Sequence, residues 1–591
     1  MEDLAVADRS LHTTNFTNGN LTRAQQYTLI DRRIAESDKF RIRLSTARND
    51  LTDAARMTSE ILNIVFQRHM DNMLAEGEDG ELHPTWYFFS HVCSRWRIVA
   101  IGNPALWSRI SFRYLGWMNN NLIRSAAYPL IVDINRYIEI PTYPCVLLSA
   151  IQRTLAEISR IRCLDVKRVD TDSMKRFLQT VAFAPAPILE SLSLLAMEQD
   201  TASPFVVIPK KLFGGMTPNL RYVHIRSCKV DFNSSILVNL VRLHLDCSSI
   251  SHISECNISI TELLTILALS PSLEILHLDT LSPTHSDVAI PNPFTFSHLE
   301  HIHLLDKASF IARMFDNIRL PSFTSVSIDC TDDVEGDFSC VAKALTIATG
   351  DHPPKQILNL LVERSEILSG KQLCIAGRME KQDDARVSWN LIFIWNGSMM
   401  TQVEVLLSNV IHGLDVSALL RIRLREVADI AEDTWREQFA PARHLEDLVI
   451  SKQPIWGVLN ALSSTATSPM IDIALFPKLQ HLAIADVPFD NAIKELMLKI
   501  VCKRLDKGYP IKYLDIRLCR HFRADWEQEF REYIPVVFWD GYRRDMSPDH
   551  DKESDQILDT GGIYNIDDTE GDTSSAYGSE YASIDEYDYQ E

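Results

Sequence analysis

No run of about 18 apolar residues occurs in this 591-residue chain, so nothing in it has the makeup of a bilayer-spanning helix. The opening MEDLAVADRS lacks the basic and then apolar regions of a secretory signal, which places the expected chain in the cytosol or nucleus. Basic charge is in deficit: 59 Lys and Arg face 79 Asp and Glu, a net −20. That balance argues against nucleic acid as the main partner, because phosphate binding needs a basic surface. The 11 cysteines contain no CxxC pair, and the expectation is reduced, mostly buried thiols. Catalytic signatures are missing as well. The chain has no GxSxG, no phosphate-binding GxxxxGK loop and no GxGxxG. His298, His301 and His303 stand in HLEHIH, which lacks the HExxH order, and no acid or cysteine at suitable spacing completes a metal site. The reading is a non-enzyme with no metal or cofactor and no membrane partner.

What remains is long and unevenly charged. A chain of this length exceeds one ordinary core and implies several domains or one elongated array. Residues 1–50 are polar, with thinly spaced aliphatics that predict one or two exposed helices over 21–56. From Met546 to Glu591, 14 Asp and Glu stand against a single Lys, interleaved with Tyr564, Tyr577, Tyr581, Tyr587 and Tyr589. Such a segment buries too little apolar area to offset ordering entropy and is expected to be disordered, either as a solubilising tail or as a regulated interaction tail. The segments between are read as a helical module over 51–115 and a repeat domain over 116–545.

The repeat has the form L-x-x-L-x-L, with Leu, Ile or Val at the aliphatic places. It runs Ile161/Leu164/Val166, Leu189/Leu192/Leu194, Leu220/Val223/Ile225, Leu240/Leu243/Leu245, Leu273/Leu276/Leu278 and Leu299/Ile302/Leu304, with a weaker Phe323/Val326/Ile328. It returns at Leu419/Ile422/Leu424, Leu445/Leu448/Ile450, Leu479/Leu482/Ile484 and Ile511/Leu514/Ile516. The last two aliphatics of each copy are two apart, so both face one side of a short strand. A single unit cannot bury that side alone, but stacked units can. The fold class expected is α/β: an N-terminal helical module, then an irregular solenoid with a parallel inner sheet. Over 331–410 the repeat is unreadable, although SWNLIFIW looks like a strand. Worn repeats or an inserted loop are expected there, with a hidden enzyme as a third option.

Between the second and third aliphatics of four successive units stands a histidine: His224, His244, His277 and His303. With the leucines facing the core, these imidazoles should face the open side as a ladder with strands about 4.8 Å apart. Tyr222, Arg242 and His301 fall on the same side. Two readings stand: polar residues on a wet strand face, or a substrate groove able to gain charge near pH 6–7.

Before the repeats, Met57, Ile61, Leu62, Val65 and Phe66 recur at helical spacing, with Thr58 or Ser59 as the cap. Phe89, Val92, Cys93, Trp96 and Val99 predict a second amphipathic helix, and Leu106 and Trp107 follow a Gly-Asn-Pro break. Trp96 and Trp107 fit either a contact surface or the internal core of the module.

The order of Glu60, Ile61, Leu62, Phe66, Val92, Cys93, Trp96, Arg97, Leu106 and Trp107 resembles an F-box. It departs from that motif in having Thr58-Ser59 where a proline usually opens it, and a longer first loop. The repeats resemble leucine-rich repeats, which favour Asn or Cys where Cys228 and Cys519 stand. From about 50 to 545 the chain is similar to the mushroom-type fungal F-box proteins with divergent leucine-rich repeats. The resemblance implies a non-catalytic substrate-recognition subunit of a Skp–cullin–F-box ubiquitin ligase. Met57, Ile61, Leu62, Val65, Phe66, Val92, Cys93, Trp96, Leu106 and Trp107 would dock a Skp-type adaptor, and through it a cullin–RING complex. The repeats would hold a protein substrate, with Tyr222, His224, Arg242, His244, His277, His301 and His303 on the substrate face. The alternative is a repeat scaffold with a degenerate F-box and no ubiquitin role.

Overall fold

The computed structural model describes residues 22–541 apart from 77–87, 113–114, 136–143, 198–205, 248–258, 282–292, 322–323, 331–340, 342–356, 368–369, 379–390, 397–406, 408–410, 412–415, 428, 453 and 464–474. The acidic segment 546–591, residues 1–21 and Phe323 therefore lie outside the described residues. The chain divides into two compact units that meet in sequence at Leu130 and Ile131.

The first unit is helical. Helix α1 (Arg23–Asp50) opens on a capping box: the Thr22 hydroxyl accepts from the Gln25 amide while the Gln25 side chain reaches back to the Thr22 amide. Helix α2 (Ser59–Glu76) is capped by the Thr58 hydroxyl, which accepts from the Ile61 amide. The expected second helix comes in two pieces. One turn covers Phe89–Val92, and helix α3 covers Ser94–Gly102. Cys93 between them is extended (φ −157°, ψ 169°), and its thiol accepts from the Trp96 amide 3.5 Å away. A capping residue must leave the helical region, so Cys93 breaks the periodic run that the sequence shows as continuous.

The second unit is an α/β array. Strands β1 (Ile161–Val169), β2 (Ser191–Ala196), β3 (Tyr222–Arg226), β4 (Arg242–Asp246), β5 (Ile275–Asp279), β6 (His301–Asp306) and β7 (Ser325–Cys330) pair side by side in chain order, all parallel. Their register puts Leu164, Leu192, Val223, Leu243, Leu276, Ile302 and Val326 in one buried row. Each such side chain contributes roughly 1.5–3 kcal/mol when fully buried. Helices such as Thr171–Val181, Ile260–Leu267 and Ala308–Asp316 return the chain between strands.

The sheet is not parallel throughout. Strands β8 (Asn359–Ile367), β9 (Gly370–Arg378) and β10 (Leu391–Asn396) form an antiparallel meander within the stretch where no repeat could be read. It enters the sheet in reverse order: β10 pairs with β7, and β8 pairs with β11 (Arg421–Arg425), both in parallel. Each outer strand of a three-strand meander runs the same way as the other. The parallel array therefore continues across it without an open edge. Strands β12 (Asp447–Ser451), β13 (His481–Ala485), β14 (Tyr513–Arg517) and β15 (Val536–Trp539) complete the order, again parallel.

A backbone device recurs where strands end. Ser227, Thr280, Glu426, Lys452, Asp486 and Leu518 all have φ between 51° and 57°. The amides of Ser227, Thr280, Glu426, Lys452 and Asp486 each donate to a carbonyl at the end of the next strand, at 2.6–3.0 Å. None of these residues is glycine, although the left-handed region costs an ordinary residue about 1–2 kcal/mol. The turn gives each amide its carbonyl partner, which offsets the cost. Buried thiols serve the same turns. The Cys519 thiol donates to the Ile484 carbonyl at 3.5 Å, and burial pushes Cys228 and Cys519 up to about 12, so both stay protonated.

Candidate functional site

The first unit carries an aliphatic surface held up by an aromatic core. Leu62, Phe66 and Met70 of α2 lie four apart and are buried with Val99, Ala100, Leu106 and Trp107. The Phe66 ring stacks on Phe89 at 4.4 Å between centroids and meets Trp96 edge-on at 5.2 Å. Trp107 donates its indole N–H to the Ala100 carbonyl at 2.8 Å, and Arg124 lies over its ring at 4.2 Å. Leu62, Phe66, Leu106 and Trp107 therefore support the surface from behind. Among the ten residues expected to dock an adaptor, these four are buried in the core of this unit. Trp96 and Cys93 are half-buried, with the Trp96 indole donating to the Ala54 carbonyl at 3.3 Å.

The adjacent stripe, formed by Met57 just before α2 and by three residues of the helix, faces solvent. Met57, Ile61, Ile64 and Val65 keep 36, 48, 67 and 42% of their surface exposed. Val92 is exposed too, as are Ile98 and Ile101 on α3. Ile64, Ile98 and Ile101 were missed in the sequence. The 3.6 period draws one broad apolar arc on each helix, and only packing shows which part of the arc is covered. Two backbone carbonyls of this region are held by arginines: Arg95 donates to Met57, and Arg97 donates to Ser90 at 2.7 Å.

The second unit offers the sheet face opposite the aliphatic rows. Register places Tyr222, His224, Arg242, His244, His277, His301 and His303 together on it. The four imidazoles stand in contact. His224 stacks on His244 at 4.0 Å and 7°, His244 meets His277 at 4.9 Å, and His277 meets His303 at 5.2 Å. Asp279 ties the ladder together: its carboxylate lies 3.1 Å from His244 Nε2 and 3.5 Å from His303 Nε2. Arg226 pairs with Asp246 at 3.0 Å, and Arg242 lies over the Tyr222 ring at 5.3 Å.

This environment opposes the charging of His224 and His277 near pH 6–7. Burial, then the charges of His244, Lys167 and Arg226, pushes His224 down to about 2. His277, only 6% exposed, goes down to about 3 through burial and its imidazole neighbours. Burial also lowers His301 and His303. Asp329, on the same face, is pushed up to about 7 by burial and by the charge of Asp279. A strand face read from sequence looks wet, yet stacked rings on adjacent strands cover one another and exclude water.

A second feature of this face lies beyond the meander. The alternation Arg421-Ile-Arg423-Leu-Arg425 on β11 sends three guanidiniums to the open side. Arg421 is paired with Asp447 at 3.2 Å, which His481 also approaches at 3.2 Å. Hydrogen bonds to His481 and the charge of Arg421 hold Asp447 below the usual carboxylate range against the opposing effect of burial. Among the described residues, no cluster of three or more His, Cys, Asp or Glu has the arrangement of a metal site. No helix among them is long and apolar enough to cross a membrane. Comparison with protein-family models and with curated proteins returns no match to this chain.

Proposed function

We propose that this chain is the substrate-recognition subunit of a Skp–cullin–F-box ubiquitin ligase. The first unit would be its F-box-like module, and the second an irregular leucine-rich-repeat domain. The observation that carries the reading is the exposed stripe Met57, Ile61, Ile64 and Val65, set on a buried Phe66–Trp96–Trp107 core and followed in sequence by the strand array. A helix with an unpartnered aliphatic face suits the groove of a helical adaptor protein. The role is tethering. Holding a substrate near a ubiquitin thioester raises the effective concentration of its lysines without a catalytic group on this chain. The imidazole-lined face, with Tyr222 and Arg242 beside it, would take the protein substrate through stacking and hydrogen bonds. The proposed setting is the cytosol or nucleus.

The test uses the full chain with Ile61→Glu and Val65→Glu, co-expressed with a Skp-type adaptor. Wild type is expected to co-elute with the adaptor. The double variant should bind at least about 100-fold more weakly, since central aliphatic contacts are worth roughly 1–2 kcal/mol each and burying a charge adds to the loss. Thermal stability should be unchanged, because both side chains face solvent. A wild-type chain that fails to retain the adaptor would overturn the reading and leave a repeat scaffold with no ubiquitin role.

A further inference from the structure

Between β11 and β14 the open face dips. Ser451 on β12 and Ala483 and Ala485 on β13 are small, and a hollow of about 110 Å³ opens above them. Arg423, Arg425 and Arg517 line it with Glu363 and Asp515, which leaves one positive charge in excess. The carboxylates fix two of the guanidiniums in place. Glu363 lies 3.3 Å from Arg425, and Asp515 accepts from Arg517 Nε at 2.9 Å. The space is enough for a carboxylate side chain. Rigid, half-buried guanidiniums favour a carboxylate over other polar groups, because both N–H donors of the fork can engage its two oxygens.

The chain leaves the array beside this hollow. Asp540 accepts the Leu518 amide at 2.8 Å, and Leu518 directly follows Arg517. Gly541 then turns the backbone at φ 71°, a conformation open to glycine. Asp549 stands eight positions after Gly541 and is the first acid of the segment 546–591, with its 14 acids and one lysine. Eight extended residues reach about 26 Å. Three strand spacings need only about 14 Å.

We propose that the arginine hollow is a binding site for carboxylate side chains of an extended acidic segment, and that the chain's own residues 546–572 are its resident occupant. Tethering at this distance gives an effective concentration on the order of millimolar, so even a weak contact would be populated. An external acidic segment would then have to displace the tail. This inference stands independently of the ligase reading, whose assay reports on the first unit.

The probe is a fluorescein-labelled synthetic peptide with the sequence of residues 546–572, titrated into full-length chains and followed by anisotropy. In one chain, every Asp and Glu from Asp549 to Asp572 is replaced by Asn or Gln. This neutral-tail chain is expected to bind the peptide saturably, and wild type at least tenfold more weakly because its own tail competes. Adding Arg423→Gln and Arg517→Gln to the neutral-tail chain should remove at least 90% of the affinity. Ala483→Glu, which seats a carboxylate in the hollow, should do the same without deleting an arginine. Equal binding by wild type and the neutral-tail chain would overturn the proposal. So would no binding by the neutral-tail chain, or full binding by the Ala483→Glu variant.

Discussion

The imidazole ladder should make the second unit acid-sensitive. In an unfolded chain, His224 and His277 take protons near pH 6.5. In the folded chain they resist protonation down to about 2 and about 3. Below about pH 6.5 the unfolded state therefore binds more protons, and stability falls as pH falls. Their contribution is fully present above pH 6.5 and lost on the way down to the folded values. Each group changes stability by up to about 1.4 kcal/mol per pH unit within that window. Asp329 works in the opposite sense. Its folded value of about 7 lies above the unfolded one, so its contribution is present in acid and lost as pH rises through 7. The clean readout is thus a difference between two chains that share Asp329. We expect His224→Gln with His277→Gln to remove up to about 4 kcal/mol of the stability lost between about pH 7 and pH 5. Urea unfolding followed by tryptophan fluorescence measures this at each pH. Parallel stability–pH curves for wild type and the double variant would refute the reasoning, whatever the absolute stabilities.

The aromatic core of the first unit predicts that Phe66→Ala costs about 3–5 kcal/mol, since the ring is fully buried between Phe89 and Trp96. Urea unfolding monitored by Trp96 emission checks it, and a loss under 1 kcal/mol would mean the ring is not structural. Gly457 opens the helix Trp456–Ser463, where an added Cβ would fall 1.7 Å from the Ile430 carbonyl oxygen. Its amide also donates to Asp429 at 3.1 Å, fixing the close approach. Gly457→Ala should cost about 3 kcal/mol or more, because backbone rather than a flexible side chain must move. A melting temperature within 2 °C of wild type would contradict that.

Much of the array was legible because its signal is strictly periodic. Two aliphatics two apart, recurring over eleven strands, have one arrangement that buries them all. The resulting rows are buried from Leu164 to Ile516. The same alternation makes the histidine side readable, and Arg421, Arg423 and Arg425 could have been found from it by aligning the later copies. The meander was not legible. Antiparallel strands β8 and β9 need no aliphatic repeat, and nothing local tells a strand to enter a sheet in reverse order. The break at Cys93 hid for a related reason: helical periodicity survives a capping residue that the backbone does not.

Sequence alone decided which side of each strand is apolar, how many strands share that pattern, and where the acidic charge is concentrated. These follow from residue type and spacing, which are local. Tertiary structure decided burial and charge state. It split the α2 stripe into the core residues Leu62 and Phe66 and the exposed residues Ile61, Ile64 and Val65. It stacked the imidazoles of four strands on one another, with burial holding His224 and His277 far below the ordinary imidazole range, and it set three arginines around one hollow. Solvation depends on what neighbouring strands place alongside a residue, and those neighbours are 20 or more positions away in the chain.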